Sequence, residues 1–185
     1  MSTLSRSGPL GVLAACLLLQ AAPSNGTPAG AGTWDRHLDF VTEQVRAIHP
    51  DPWRRLPERD FEGQVERLRR DLPALDEGGR VVRTMQLVAR LRDGHTRLDP
   101  TRGAAFGAWF PVRRGRFADG IFVTVTDSSH ADCLTARVLG IGALPAEDAY
   151  QRVASVIAVD SDHALPRLFP GYVANAGILR GLGVI

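Results

Sequence analysis

Between residues 34 and 93 apolar side chains recur at three- and four-residue steps, and prolines or an Asp-Gly pair cut the pattern into helix-length pieces. This periodicity is the strongest constraint on the fold, because only a helix puts such positions on one face. Trp34, Leu38, Val41, Val45 and Ile48 form the first stripe, which His49-Pro50-Asp51-Pro52 ends because each proline disfavours helical geometry in the residue before it. Phe61, Val65, Leu68 and Leu72 form the second, opened by Pro57-Glu58 and closed before Pro73. Val81, Val82, Met85, Val88, Ala89 and Leu91 form the third, which stops at Asp93-Gly94.

Beyond this point the period changes. Trp109-Phe110-Pro111-Val112 and Gly120 to Thr126 are rich in β-branched and aromatic residues, and the polar Arg113 to Asp119 stretch between them reads as the turn of a hairpin. Arg137 to Gly142 is a further short strand with a glycine turn, and Pro145-Ala146-Glu147-Asp148 opens a helix through about Ile157. From Asp160 to Ile185 helical patches are broken by Pro166, Pro170 and several glycines, and the composition argues against independent folding of this end. The predicted class is α+β: a helical region over 32–100 and a strand-and-helix region over 101–185.

Residues 1–31 read as a leader and linker: Arg6 precedes the apolar run Leu10 to Ala22, and a Pro/Gly/Ser/Asn segment follows. The run is shorter than the ~20 residues of a membrane span, so export to the periplasm or exterior is expected. Cleavage at Ala29-Gly30-Ala31 would start the mature chain near Gly32. Leu13-Ala14-Ala15-Cys16 also spells a lipobox, which makes a lipid anchor on Cys16 the minor alternative. Removal of Cys16 leaves Cys133 as the single cysteine, so no intramolecular disulfide can form.

The 44% hydrophobic and 23% charged content is that of a globular domain, and a net charge of +2 with acids scattered among the bases gives no nucleic-acid-binding stripe. All 22 basic residues are arginine, so no lysine can act as a base or Schiff-base former.

Arg92-Asp93-Gly94-His95-Thr96-Arg97-Leu98 places a histidine just after a glycine at a helix end. A histidine held there, partly exposed, can transfer protons; equally, it can be a loop residue that only hydrogen-bonds locally, and the residues alone leave both readings open. Asp127-Ser-Ser-His130-Ala-Asp132-Cys133 crowds potential metal ligands without the paired spacing of a zinc site and reads as a polar capping loop. Cys133 reads as a small core residue, and His37 and His163 as exposed helix positions. No metal ligand and no cofactor is expected.

The order of Trp34 to Asp71 with His49-Pro50-Asp51-Pro52, then Asp93-Gly94-His95-Thr96, then Gly120 to Thr126 and Arg137 to Pro145, resembles the N-terminal region of the tail-specific (C-terminal-processing) serine peptidase family and its tricorn-core relatives. The resemblance implies a helical cap, a PDZ-like segment and a polypeptide substrate. In tricorn-like members the corresponding histidine is the general base of a Ser/His site, which makes His95 the catalytic candidate. In the processing branch a Ser/Lys dyad does the chemistry, and the lack of lysine excludes that version here. Gly94 stands where tricorn-like members carry serine and the other branch proline.

The family's serine comes from a downstream α/β domain. Ser128, Ser129, Ser155 and Ser161 are the serines beyond the leader, and none sits in a Gly-x-Ser-x-Gly elbow. The expectation is therefore the non-nucleophile half of an exported serine-type peptidase, truncated relative to the family and inactive alone. The alternatives are a secreted module that binds a peptide or apolar ligand without catalysis, and a gene fragment.

Overall fold

A computed structural model describes residues 31–100 and 106–185. The leader, with Cys16 and the proposed cleavage site up to Gly30, lies outside the described residues. The fold is α+β, with six α-helices and two small antiparallel sheets among the described residues. The helices are α1 (Ala31–Ile48), α2 (Glu58–Asp71), α3 (Glu77–Ala89), α4 (Ala146–Ala154), α5 (Leu165–Val173) and α6 (Ala176–Gly181). The strands are β1 (Arg113–Phe117), β2 (Gly120–Val125), β3 (Gly140–Ile141) and β4 (Leu144–Pro145).

The three predicted N-terminal helices are present. Phe61, Val65, Leu68 and Leu72 from the second stripe are buried against Trp34, Leu38 and Val45 of the first. Ile48, read as part of that first stripe, is 73% exposed: it lies in the last turn of α1, past the contact with α2. Arg46 reaches Glu58 and Glu62, and Arg69 reaches Asp35 and Asp39, so charges rim the α1/α2 contact. Exposed pairs of this kind each contribute only ~0.2–1 kcal/mol, and the buried apolar side chains dominate. Asp76 caps α3 by accepting the Gly79 N–H at 2.7 Å.

α3 has two apolar faces. Leu87 joins the core of α1 and α2, whereas Val82 and Met85 join a second core built from α4, α5, α6 and the hairpin. Its contact with α6 is close because Gly181 carries no side chain: a Cβ there would stand 2.6 Å from Val82 Cγ2 and 2.7 Å from the Gly78 carbonyl. Through α3 the helical region and the strand-bearing region are packed together rather than merely joined.

The hairpin sits later in the sequence than the apolar pattern predicts. Arg113 to Phe117, read as its turn, is strand β1, paired from Arg114↔Val123 to Phe117↔Gly120, with a two-residue turn at Ala118-Asp119. The polar content misleads because Arg116 lies 5.0 Å from the centre of the Tyr150 ring and Arg114 lies 5.5 Å from that of Phe110. Guanidinium groups laid on aromatic rings let an arginine-rich segment cover a core. Trp109, expected inside the strand, instead forms a single antiparallel bridge to Asn175. The predicted strand over 137–142 is reduced to the two residues of β3, while the preceding Thr135 to Val138 stretch hydrogen-bonds along β2. The helix after Pro145 ends at Ala154 rather than Ile157.

The C-terminal segment, expected to fold poorly by itself, supplies the centre of the second core. Phe169, Val173 and Leu179 are fully buried, and Val184 is 1% exposed. Asn175, also fully buried, donates to the Phe106 carbonyl at 2.8 Å and accepts the Ile178 N–H at 3.0 Å, tying the approach to the hairpin to the start of α6. A glycine in the β3–β4 turn permits this packing: Gly142, at φ +60°, is so close to the Val184 carbonyl that a Cβ would overlap it.

Candidate functional site

Two short sequences that lie far apart in the chain meet where α1 and α3 end. After α1 the chain turns at His49-Pro50, and the His49 Nδ1 accepts the Asp51 N–H at 3.1 Å. An Nδ1 that accepts leaves the proton of the neutral ring on Nε2. That Nε2 lies 2.9 Å from Oδ2 of Asp93, with the His49 side chain only 10% exposed. The distance is that of an ion pair, but the N–H is not directed at the oxygen, so Nε2 is buried without a well-formed hydrogen bond.

Asp93 is the centre of the arrangement. Its Oδ1 accepts the His95 backbone N–H at 2.9 Å and its Oδ2 accepts the Thr96 hydroxyl at 2.7 Å, a turn of the kind that an aspartate makes with the residues just after it. Burial pushes the Asp93 carboxyl up, but the Thr96 and His95 hydrogen bonds, with the His49 imidazole alongside, outweigh it and hold the group below its ordinary 3.8. Asp93 is therefore a carboxylate at neutral pH.

His95, the residue singled out from the sequence, projects from this turn with its side chain 93% exposed and its Nδ1 3.4 Å from Asp93 Oδ1. The contact is long for a hydrogen bond, so Asp93 tethers His95 chiefly through the backbone. With Nδ1 on the carboxylate side, Nε2 is the ring nitrogen left for a reacting group.

The glycine before His95 does a different job from the one its position suggests. The chain reverses at Arg92, a non-glycine residue at φ +54°, while Gly94 is not among the residues with positive φ. Gly94 instead makes room for Asp160, whose Oδ2 would lie 3.0 Å from a Cβ at that position. Arg92 is held from the same side by Asp162 at 2.9 Å.

Asp160 thus comes beside a turn it does not adjoin in sequence. Asp93, His95 and Asp160 each present one ligand atom, all within 4.8 Å of one another. Oxygen and imidazole ligands at this spacing could hold a divalent cation, although both Asp93 oxygens already accept hydrogen bonds. Sequence reading named none of these as metal ligands, and it missed His49 and Asp93 as parts of one site. The available signal was that His49-Pro50-Asp51-Pro52 and Asp93-Gly94-His95-Thr96 were both singled out, at the ends of helices that share one core.

The other candidates stay apart from this site. His130 pairs locally with Asp127 at 2.7 Å, and that hydrogen bond holds the Asp127 carboxyl below its ordinary value. Cys133 is half-buried at the end of the 128–133 turn rather than a core residue, because the neighbouring Leu134 is itself 48% exposed. His37 and His163 are exposed, as expected. The Ser155 hydroxyl donates to the Arg152 carbonyl at 2.6 Å and accepts from Gln86, and Ser161 accepts the His163 N–H. Among the described residues no hydrogen bond joins a serine to His95.

No helix among the described residues is long and apolar enough to cross a membrane. Comparison with protein-family models, with curated proteins and with solved structures found no match.

Proposed function

We propose that this chain is the non-nucleophile half of an exported serine-type peptidase, with His95 as its general base and Asp93 as the carboxylate that orients it. The observation that carries the reading is Asp93 itself, an ionised, half-buried carboxylate with His95 on one oxygen and His49 on the other. In acyl transfer by a Ser/His site, the imidazole takes the hydroxyl proton on one nitrogen while a carboxylate at the other nitrogen fixes the tautomer and stabilises the imidazolium. His95 and Asp93 have the chemistry for these roles, and the loose 3.4 Å contact is of the kind that tightens when substrate is bound.

The serines among the described residues are occupied locally or lie in the exposed 128–133 turn, so the nucleophile and oxyanion donors belong to other residues than those described. The helices and the PDZ-like hairpin region would hold the polypeptide, and the leader would export it.

Two measurements test this. A fluorophosphonate probe should leave the purified chain unlabelled, and labelling of any serine would overturn the assignment as a half-site. Hydrolysis of p-nitrophenyl acetate, which an accessible imidazole accelerates, should drop further in His95→Ala than in His37→Ala or His163→Ala, whose imidazoles are also exposed; an equal drop in all three would remove His95 as the base.

A further inference from the structure

A cavity of about 670 Å³ opens between α2, α3 and the chain from Ala154 to Leu165. Five arginines line it: Arg55, Arg67, Arg83, Arg90 and Arg92. Two aspartates face them, and both are already engaged, Asp71 with Arg83 at 3.2 Å and Asp162 with Arg92 at 2.9 Å. Arg55, Arg67 and Arg90 have no ion-pair partner among the described residues. The floor is apolar, built from the buried Leu68, Leu87, Ile157 and Val159. Gln86 crosses it, donating to the Ser155 hydroxyl at 2.9 Å.

The guanidinium groups are spread along the cavity rather than converging on one point. Arg83, Leu87 and Arg90 recur on one face of α3 and just beyond its end, which separates the two arginines by about 10 Å along the axis at ~1.5 Å per residue. An extended chain advances ~3.3 Å per residue and puts every second side chain on one face, so carboxylates two to four residues apart in an alternating sequence would meet both of the long, flexible arginines. A single phosphate would not. The end formed by Arg92 and Asp162 adjoins the candidate site: Arg92 precedes Asp93, and Asp162 follows the Asp160 that lies against Gly94.

We infer that this cavity is the recognition groove for acidic polypeptide segments, with the arginines taking Asp and Glu side chains and the floor taking intervening apolar ones. The inference rests on the reading of the chain as peptide-handling and names the substrate class of that function. Arginine suits it because its planar fork pairs with a carboxylate through two hydrogen bonds.

The test is fluorescence anisotropy on the full chain with a labelled peptide of alternating glutamate and leucine, against the same peptide with glutamine in place of glutamate. The glutamate peptide should bind at least tenfold more tightly, and its affinity should fall with rising salt. Arg67→Gln with Arg90→Gln should weaken it tenfold or more, while Arg54→Gln with Arg59→Gln, at exposed positions outside the cavity, should leave it unchanged, all four substitutions being checked for folding by circular dichroism. Equal binding of the two peptides would overturn the acidic class while leaving peptide handling in place. Binding of neither peptide, equal weakening by the two double variants, full competition by inorganic phosphate at the peptide's own concentration, or tighter binding of a single-stranded oligonucleotide would each overturn the groove assignment. His95→Ala should not alter peptide affinity, so a failure of the base is read separately from a failure of the groove.

Discussion

The imidazole of His49, at the end of α1, and the carboxylate of Asp93, beyond the end of α3, stand 2.9 Å apart in a half-buried setting. The contact joins the two helix-ending motifs into one unit, and it makes Asp93 the residue on which the local structure depends.

Asp93→Ala should destabilise the protein by roughly 1–3 kcal/mol, because the His95 N–H and the Thr96 hydroxyl lose their acceptor and His49 loses its neighbouring charge. Asp93→Asn retains an oxygen for the His95 N–H and should cost less. Urea unfolding of the two variants beside wild type checks the order; Asn as damaging as Ala would show that charge, not the turn, carries the effect.

Acid should act on the same residue. The Asp93 carboxyl is held below its ordinary 3.8 in the fold, so its stabilisation is fully present above that value and is lost as pH falls through the lower, folded value. Between pH 7 and pH 5 Asp93 should therefore contribute no slope to stability, and below about pH 4 wild type should lose stability faster than Asp93→Asn. Thermal unfolding at stepped pH gives the comparison, and parallel curves down to pH 3 would contradict it.

Arg92 carries a backbone conformation that L-residues adopt at a cost of ~1–2 kcal/mol and glycine adopts freely. Arg92→Gly and Arg92→Ala both remove the pair with Asp162, so their difference isolates the backbone. The glycine variant should be the more stable by about 1 kcal/mol, read from denaturation midpoints; equal stabilities would mean that the turn relaxes in the variants.

Asn175→Ala should be among the most damaging single changes, at roughly 2–4 kcal/mol, since it leaves the Phe106 carbonyl and the Ile178 N–H both buried and unbonded. Asn175→Asp keeps the acceptor for Ile178 but sets a carboxylate against a carbonyl, and should also be unstable. Thermal denaturation of either variant within a degree of wild type would exclude the latch.

Two glycines should respond oppositely to alanine. At Gly142, with φ +60° and the Val184 carbonyl where a Cβ would go, alanine should displace the C-terminal segment and lower stability by more than ~2 kcal/mol. At Gly63, inside α2 with nothing within 4 Å of a Cβ, alanine should raise it by about 0.5–1 kcal/mol. Melting temperatures that move in the same direction would refute the contrast.

Local periodicity alone determined the three N-terminal helices, their buried faces and the α+β class: Phe61, Val65, Leu68 and Leu72 are spaced for one side of a helix whatever they pack against. It also marked His95 and the two helix-ending motifs. Only the tertiary structure decided what those motifs do together. Asp160 reaches Gly94, and His49 reaches Asp93, because α1 and α3 are packed into the same core and the chain after α4 returns to the end of α3. The hairpin was misplaced for a related reason: Arg114 and Arg116 read as solvent-seeking until the rings of Phe110 and Tyr150 are beneath them. The glycine-rich C-terminus reads as unable to fold alone because its close contacts, Gly181 with Val82 of α3 and Val184 with Gly142, involve residues remote in sequence. A sequence pattern reports which face of an element is apolar; which polar atoms are then forced within 3 Å of one another depends on how those faces are assembled.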